Sequence, residues 1–303
     1  MLRFLLRCLI LTLGLAPLPP AQSSHAPVPL VSVPFESVGG ILVLRNLAFN
    51  GLRGDFILDT GCTYALVVEQ AAFPSQLRPS KFSGLSAVGA IAQYELPVTQ
   101  FEFGAVRPPQ VAQATSLAAL RPLVGPRLLG LVGTGLLRRF EVVIDYAHRR
   151  LSCYELGPQA SSARLFTRRD SLAFTLVKGW PITQARIGAV PVSLLLDTGA
   201  RENLLDADLA HALPAAVRPT GTQLETVVGP AGRTRAQRAV LPRLQLGPIE
   251  WRNLPVLLTA PVRYQSGRAL PYQGLLGRTF LGQEPLVSFH FGRGYLYFLR
   301  PRP

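Results

Sequence analysis

The tripeptide Asp-Thr-Gly occurs twice in this 303-residue chain, each time at the end of an apolar run. The runs read Phe56-Ile57-Leu58-Asp59-Thr60-Gly61 and Leu194-Leu195-Leu196-Asp197-Thr198-Gly199. An ionised carboxylate is almost never buried without a partner, so an acid directly behind buried-type residues needs one. Two such acids at equivalent positions of two similar half-chains point to each other. Carboxylates that share a site cannot both ionise easily, and one is held protonated. A protonated and an ionised acid side by side supply general acid–base chemistry. The neighbours fit that task. Gly61 and Gly199 permit a sharp turn and close backbone approach, with amides aimed at the acid. Thr60 and Thr198 place a small hydroxyl where it can bond backbone of the opposite half; Ser would be weaker and Val would lose the donor.

Both acids lie within an internal repeat. The strand end Phe101-Glu102-Phe103-Gly104 matches Leu244-Gln245-Leu246-Gly247, and Leu131-Val132-Gly133 matches Leu275-Leu276-Gly277. Beyond these, Phe140–Tyr146 with Leu151–Tyr154 corresponds to Pro285–Phe291 with Tyr295–Phe298, each a strand, a tight turn and a strand. Upstream, Val33-Pro34-Phe35 resembles Leu172-Ala173-Phe174. A polar stretch from Gly157 to Arg169 divides the halves. Lobe one is therefore placed at about residues 30–157 and lobe two at about 165–303. Helical periodicity is weak; Val67–Phe73 and Asp206–Ala212, each following a triplet strand, are the candidate helices. The predicted class is all-β, two related barrel-like lobes with a few short helices.

With these motifs the chain resembles the aspartic peptidases, more closely the bacterial retropepsin-like members than pepsin, over nearly all of both lobes. The resemblance implies the bilobal acid-protease fold. It implies that Gly133 and Gly277 pass beneath the catalytic loops and support them. It implies that one chain completes, as a monomer, a site that retroviral enzymes complete by dimerising. A water between Asp59 and Asp197 would give its proton to the ionised acid while the protonated acid bonds the scissile carbonyl, the roles then reversing. No cofactor, metal or covalent intermediate is needed. The flap candidates are Ser83–Gln93, with Gly84, Val88 and Gly89, and Thr226–Arg233, with Gly229 and Gly232. Neither tip carries the Tyr that pepsins place over substrate, although Tyr94 is close. Cys62 and Ala200 stand where pepsins usually have Ser or Thr, followed by Thr63 and an unusual Arg201. Fewer hydroxyl donors to the ionised pair should raise its lower pKa and make the pH optimum less acidic than pepsin's. Asp145 is read as structural, with Phe289 at its repeat position.

Composition sets the remaining bounds. Hydrophobic residues are 48% and charged residues 16%, enough for a sizeable core and against global disorder. The 27 Gly and 27 Pro are spread along the chain, as turns between many short strands require. Residues 1–24 read as a secretory signal: Arg3 and Arg7, then apolar Cys8–Leu18, then small and turn residues. The apolar stretch is short for a span, and Cys8 follows Arg7 rather than a small residue, against lipidation. A secreted or periplasmic protein is expected, without a stable membrane span after cleavage, or a membrane-anchored one if the signal is retained.

The mature chain would keep Cys62 and Cys153, either as one disulfide or as two buried thiols. His25, His148, His211 and His290 are scattered, and nothing has metal-ligand spacing. The net charge of +14 is read as solvated edges and loops; no nucleic-acid motif accompanies it, so no nucleic-acid partner is expected. Peptide or protein is the expected substrate. A non-catalytic peptide-binding or scaffold protein on the same fold is the alternative, and retention of both acids and both Thr residues argues against it.

Overall fold

The apolar run behind each Asp-Thr-Gly is a strand buried on both faces. In the computed structural model, which describes residues 26–80, 84–86, 89–157, 160–213, 216–260 and 270–302, these strands are Leu52–Asp59 and Val190–Leu196. Phe56 and Leu58 face the main core while Ile57 faces a second apolar cluster; Leu194 and Leu196 face the main core while Leu195 faces another. Burial on both faces is why the runs are continuous rather than alternating. Leu52–Asp59 runs parallel to Leu128–Gly133, pairing Gly133 with Asp59. Val190–Leu196 runs parallel to Gly274–Leu276, pairing Leu196 with Leu276.

The protein is mostly β with short helices, built from three large sheets and a two-stranded ribbon. One eight-stranded sheet has the order Glu36–Val38, Ile41–Phe49, Leu52–Asp59, Leu128–Gly133, Leu66–Glu69, Val111–Thr115, Tyr94–Pro97, Arg78–Pro79. The other has the order Thr175–Val177, Trp180–Ile187, Val190–Leu196, Gly274–Leu276, Leu204–Asp206, Ile249–Thr259, Gly232–Leu246, Arg218–Gly229. Strand senses match as well. The third and fourth strands are parallel, the fourth and fifth antiparallel, and the fifth and sixth parallel in both.

The third sheet is six-stranded and antiparallel, ordered Val31–Pro34, Arg150–Glu155, Phe140–Asp145, Leu286–His290, Tyr295–Pro301, Phe166–Ala173. Its central pair joins the two halves of the chain, with Glu141 opposite His290 and Asp145 opposite Leu286. Phe35 and Phe174 make matching contacts, their N–H groups donating to the carbonyls of Arg149 and Gly294. Glu141 is fully buried here. Its carboxylate accepts from Ser288 Oγ at 2.8 Å and from the Ser162 backbone N–H at 3.2 Å, which offsets part of its desolvation.

Several expectations are corrected. Val67–Phe73 is not a helix: Leu66–Glu69 is a fully buried strand, followed by a 3-10 turn at Gln70–Ala72. β-branched Val67 and Val68 between a parallel and an antiparallel partner outweigh the local helical pattern. The second candidate is a helix, Ala207–Ala212, with Asp206 capping the Asp208 N–H. Among the described residues Phe101–Gly104 forms isolated bridges rather than a strand, Phe101 to Phe49 and Phe103 to Ala105, because Phe101 and Phe103 serve as ring packing in the core. The residue equivalent to Asp145 by register is His290, not Phe289, since each faces the first residue of the strand that follows its turn, Arg150 or Tyr295. Asp145 itself anchors that turn, accepting from the His148 N–H and contacting His148 Nδ1, both at 2.8 Å. Cys62 and Cys153 are free thiols. His148 and His211 are exposed and His290 is buried, while His25 and residues 1–24 lie outside the described residues. Among the described residues no helix is long and apolar enough to cross a membrane.

Candidate active site

Asp59 ends one buried strand and Asp197 follows the other, and both acids line one cleft, each against the glycine of the opposite triplet. Four hydrogen bonds cross between the triplets. Thr60 Oγ1 donates to the Leu196 carbonyl at 2.7 Å and accepts from the Thr198 N–H at 2.9 Å. Thr198 Oγ1 donates to the Leu58 carbonyl at 2.9 Å and accepts from the Thr60 N–H at 3.0 Å. Both Thr side chains are buried, so these bonds are made away from competing water. They fix each acid's strand against the other.

Gly61 and Gly199 are required by close approach. A Cβ on Gly61 would lie 2.5 Å from Asp197 Oδ2, and one on Gly199 would lie 2.5 Å from Asp59 Cγ. Each acid also accepts from its own loop: Asp59 Oδ1 from the Cys62 N–H at 2.9 Å, Asp197 Oδ1 from the Gly199 N–H at 2.8 Å. Burial raises Asp59 well above the ordinary carboxylate range, and the charge of Asp197 and a hydrogen bond between the two carboxyls raise it further. Burial raises Asp197 as well, against the pull of backbone N–H groups at Gly199, Ala200 and Gly61 and of the bond from Asp59. The pair therefore holds a proton that either acid alone in water would release. An acid and a base on one face of a cleft can take a proton from water and deliver one to a leaving group.

Gly133 and Gly277 lie beneath these loops. The Gly133 N–H donates to the Ala65 carbonyl at 3.1 Å; next to it, Thr134 donates from N to Cys62 O at 2.7 Å and from Oγ1 to Thr60 O at 2.6 Å. The Gly277 N–H donates to Asn203 Oδ1 at 2.9 Å, and the Arg278 N–H to the Ala200 carbonyl at 2.8 Å. A Cβ would come within 2.3 Å of Tyr64 O at Gly133 and 2.4 Å of Glu202 O at Gly277.

The cleft has a volume of about 500 Å³ and mostly apolar walls, Ile41, Ile57 and Leu131 on one side and Leu195, Leu257 and Leu275 on the other. Two hairpins reach it. The ribbon pairs Gly84–Ser86 with Gly89–Ile91, so Gly89 is at its turn; Val88 lies outside the described residues. The longer hairpin joins Arg218–Gly229 to Gly232–Leu246, with Gly229 paired to Gly232 at its tip. Behind this tip Val227 packs on the second half's apolar cluster and Val228 on the first half's. Tyr94 is not in the ribbon; it pairs with Pro79 and Ala114 in the large sheet.

Sequence reasoning missed three polar contacts here. Trp180 Nε1 donates to the Gly61 carbonyl at 2.8 Å, and Tyr64 Oη donates to Gln93 Oε1 at 2.8 Å. Trp180 follows a two-residue turn, which the dipeptide Lys178-Gly179 signals, but its target across the molecule has no local signature. Arg201 turns away from the acids. Its stem lies over Gly40, where a Cβ would be 2.6 Å from Arg201 Cγ, and its Nε bonds Glu202 at 2.8 Å. Burial pushes the half-buried Cys62 thiol well above its ordinary range, and the charge of Asp59 adds to this.

Comparison with known proteins adds one finding. Residues 183–280 match the family model described as an aspartyl protease, a segment that contains Asp197, Thr198, Gly199 and Gly277. No curated protein matches the chain.

Proposed function

We propose that this protein is an aspartic endopeptidase in which two lobes, about residues 30–157 and 165–303, complete one site within a single chain. Asp59 and Asp197 act on a water held between them. The ionised member of the pair takes a proton from the water as it attacks the peptide carbonyl. The protonated member donates to the carbonyl oxygen, and the proton passes to the amide nitrogen as it leaves. The cleft takes an extended peptide under the two hairpins. The observation that carries this reading is the reciprocal bonding of Thr60 and Thr198, which holds the two triplets against each other with both acids lining one cleft. The aspartyl protease match at residues 183–280 supports it for the second half. The signal-like sequence of residues 1–24 supports a secreted or periplasmic location.

The deciding test is cleavage of a diverse peptide library by the purified protein and by its Asp59→Asn variant. Cleavage by the first and not the second is expected. Peptide binding without cleavage by either would move the protein to the non-catalytic class.

An active monomer is expected, because both acids come from one chain. Sedimentation and specific activity across a dilution series check this, and activity that collapses as a dimer dissociates would contradict it.

The acidic limb of the pH–rate profile should move to lower pH in Cys62→Ser and Ala200→Ser, read as kcat/KM on one peptide. A hydroxyl there can donate to the ionised pair and lower its first pKa. Arg201, which pairs with Glu202, leaves this to the local donors. A limb that stays in place or moves upward in both variants would reject the donor argument.

A further inference from the structure

Among the described residues, the cleft wall carries one cation that has no ion-pair partner. Apart from Asp59 and Asp197, the charged residues on its described walls are Lys178, Arg201, Glu202 and Glu225. Arg201 pairs with Glu202 at 2.8 Å, and Glu225 is held by Arg238 through two bonds of 2.5 and 2.8 Å. Lys178 is exposed and has no hydrogen bond or ion pair among the described residues.

Its position in the fold gives this charge a direction. Lys178 and Gly179 form the two-residue turn between paired Val177 and Trp180, with φ of +52° and +92°. The turn at the same place in the other eight-stranded sheet is Gly39-Gly40, between paired Val38 and Ile41, with φ of +56° and +88°. Each turn leans on the opposite half of the molecule. A Cβ on Gly179 would lie 3.2 Å from Thr63 Cβ, as one on Gly40 would lie against Arg201. Thr63 and Arg201 stand at the same distance along the chain from Asp59 and Asp197 respectively. The two turns therefore flank the carboxyl pair from opposite sides. Lys178 brings an unpaired cation on one side; Gly39 brings no side chain on the other, where Arg201 is already neutralised by Glu202.

We propose that Lys178 is a specificity-determining residue that selects an acidic side chain of a bound peptide at the subsite beside Thr63, with no matching selection at the mirrored subsite beside Gly39. This rests on the reading of the cleft as a peptide site, and it holds whether or not the bound peptide is cut. An exposed ammonium–carboxylate pair favours the acidic residue by about threefold, and replacing the cation by an anion reverses the sign. The preference weakens with salt because the pair faces solvent.

The test is a peptide array of systematically varied sequence, probed for binding by the uncleaving Asp59→Asn protein, with cleavage by the native protein measured in parallel. One position should prefer Asp and Glu over Asn and Gln by about threefold at about 0.05 M salt, and by less at about 0.5 M. Adding Lys178→Glu should turn this into a preference for Lys and Arg, a swing of about tenfold. Adding Gly39→Lys instead should create a second acidic preference at the mirrored position. Among the described residues, apart from its chain neighbours, no atom lies within 4 Å of a Cβ there, and Lys178 already adopts a similar positive φ. Absence of peptide binding, absence of an acidic preference, or a preference that survives Lys178→Glu would overturn the proposal. A charge preference that responds to these variants, in a protein that cuts no peptide, would uphold it and count only against the endopeptidase reading.

Discussion

Asp59→Asn and Asp197→Asn are each expected to lower kcat/KM for peptide cleavage by at least about a thousandfold, equivalent to about 4 kcal/mol of transition-state stabilisation. An amide can neither take a proton from water nor return one to the leaving nitrogen. The fold should survive, since Asn keeps an oxygen to accept the N–H bonds that Cys62 and Gly199 donate to the acids. Stability should respond to pH in a definite direction. Both acids are raised in the folded protein, mainly by burial. Above the ordinary carboxylate range, about pH 4, the native pair still holds a proton that the unfolded chain has lost, so wild-type stability falls as pH rises through the pair's raised values. The Asn variants lack part of that loss. They should melt near wild type in acid and above it at neutral pH. Thermal melts at both pH values, with kinetics on one peptide, check the two halves of the expectation. Near-wild-type cleavage by either variant would end the assignment of the pair, and a large drop in melting temperature at neutral pH would end the electrostatic account.

Thr60→Val should be strongly damaging for so small a change in size. Its hydroxyl both donates and accepts across the centre, so Val leaves the Leu196 carbonyl and the Thr198 N–H buried without partners. Each of the two orphaned groups costs about 1–3 kcal/mol, for a total of about 2–6 kcal/mol. At this chain length that lowers the melting temperature by about 3–10 °C. Activity should fall by about a hundredfold, because the carboxyls depend on this lock for their spacing. Thr198→Val should behave alike by strand order, and Thr60→Ser should restore most of both quantities because it keeps the hydroxyl. Equal effects of Val and Ser at position 60 would show that the methyl, not the hydrogen bonds, matters there.

Much of the site was legible in the sequence because its parts are local. An acid behind three apolar residues, a hydroxyl and a glycine announce a buried strand that turns sharply at a carboxylate. The doubled motif implied the pairing, and Leu131-Val132-Gly133 and Leu275-Leu276-Gly277 were legible as its supports. Failures came where distant packing decides. Leu66-Val67-Val68 has the composition of either element, and only its place between two strands made it a strand. Phe101–Gly104 has a strand's alternation, yet ring packing in the core displaced regular pairing. Counting along the chain matches Phe289 to Asp145 because it is blind to register, whereas the hairpin partners Arg150 and Tyr295 fix His290 as the match.

The sequence by itself determined the all-β class, the two acids and the glycine and threonine chemistry around them, since these follow from residue type and short-range order. Tertiary structure decided everything that depends on which surfaces meet. It set Thr60 against Leu196, Trp180 against Gly61, and Arg201 with Glu202 rather than with the acids. It also left Lys178 as a cation of the cleft wall without an ion-pair partner among the described residues. The physical reason is that a hydrogen bond or ion pair between residues far apart in sequence forms only where packing brings them within a few ångströms. That distance is a property of the folded sheets and has no counterpart in the order of the residues.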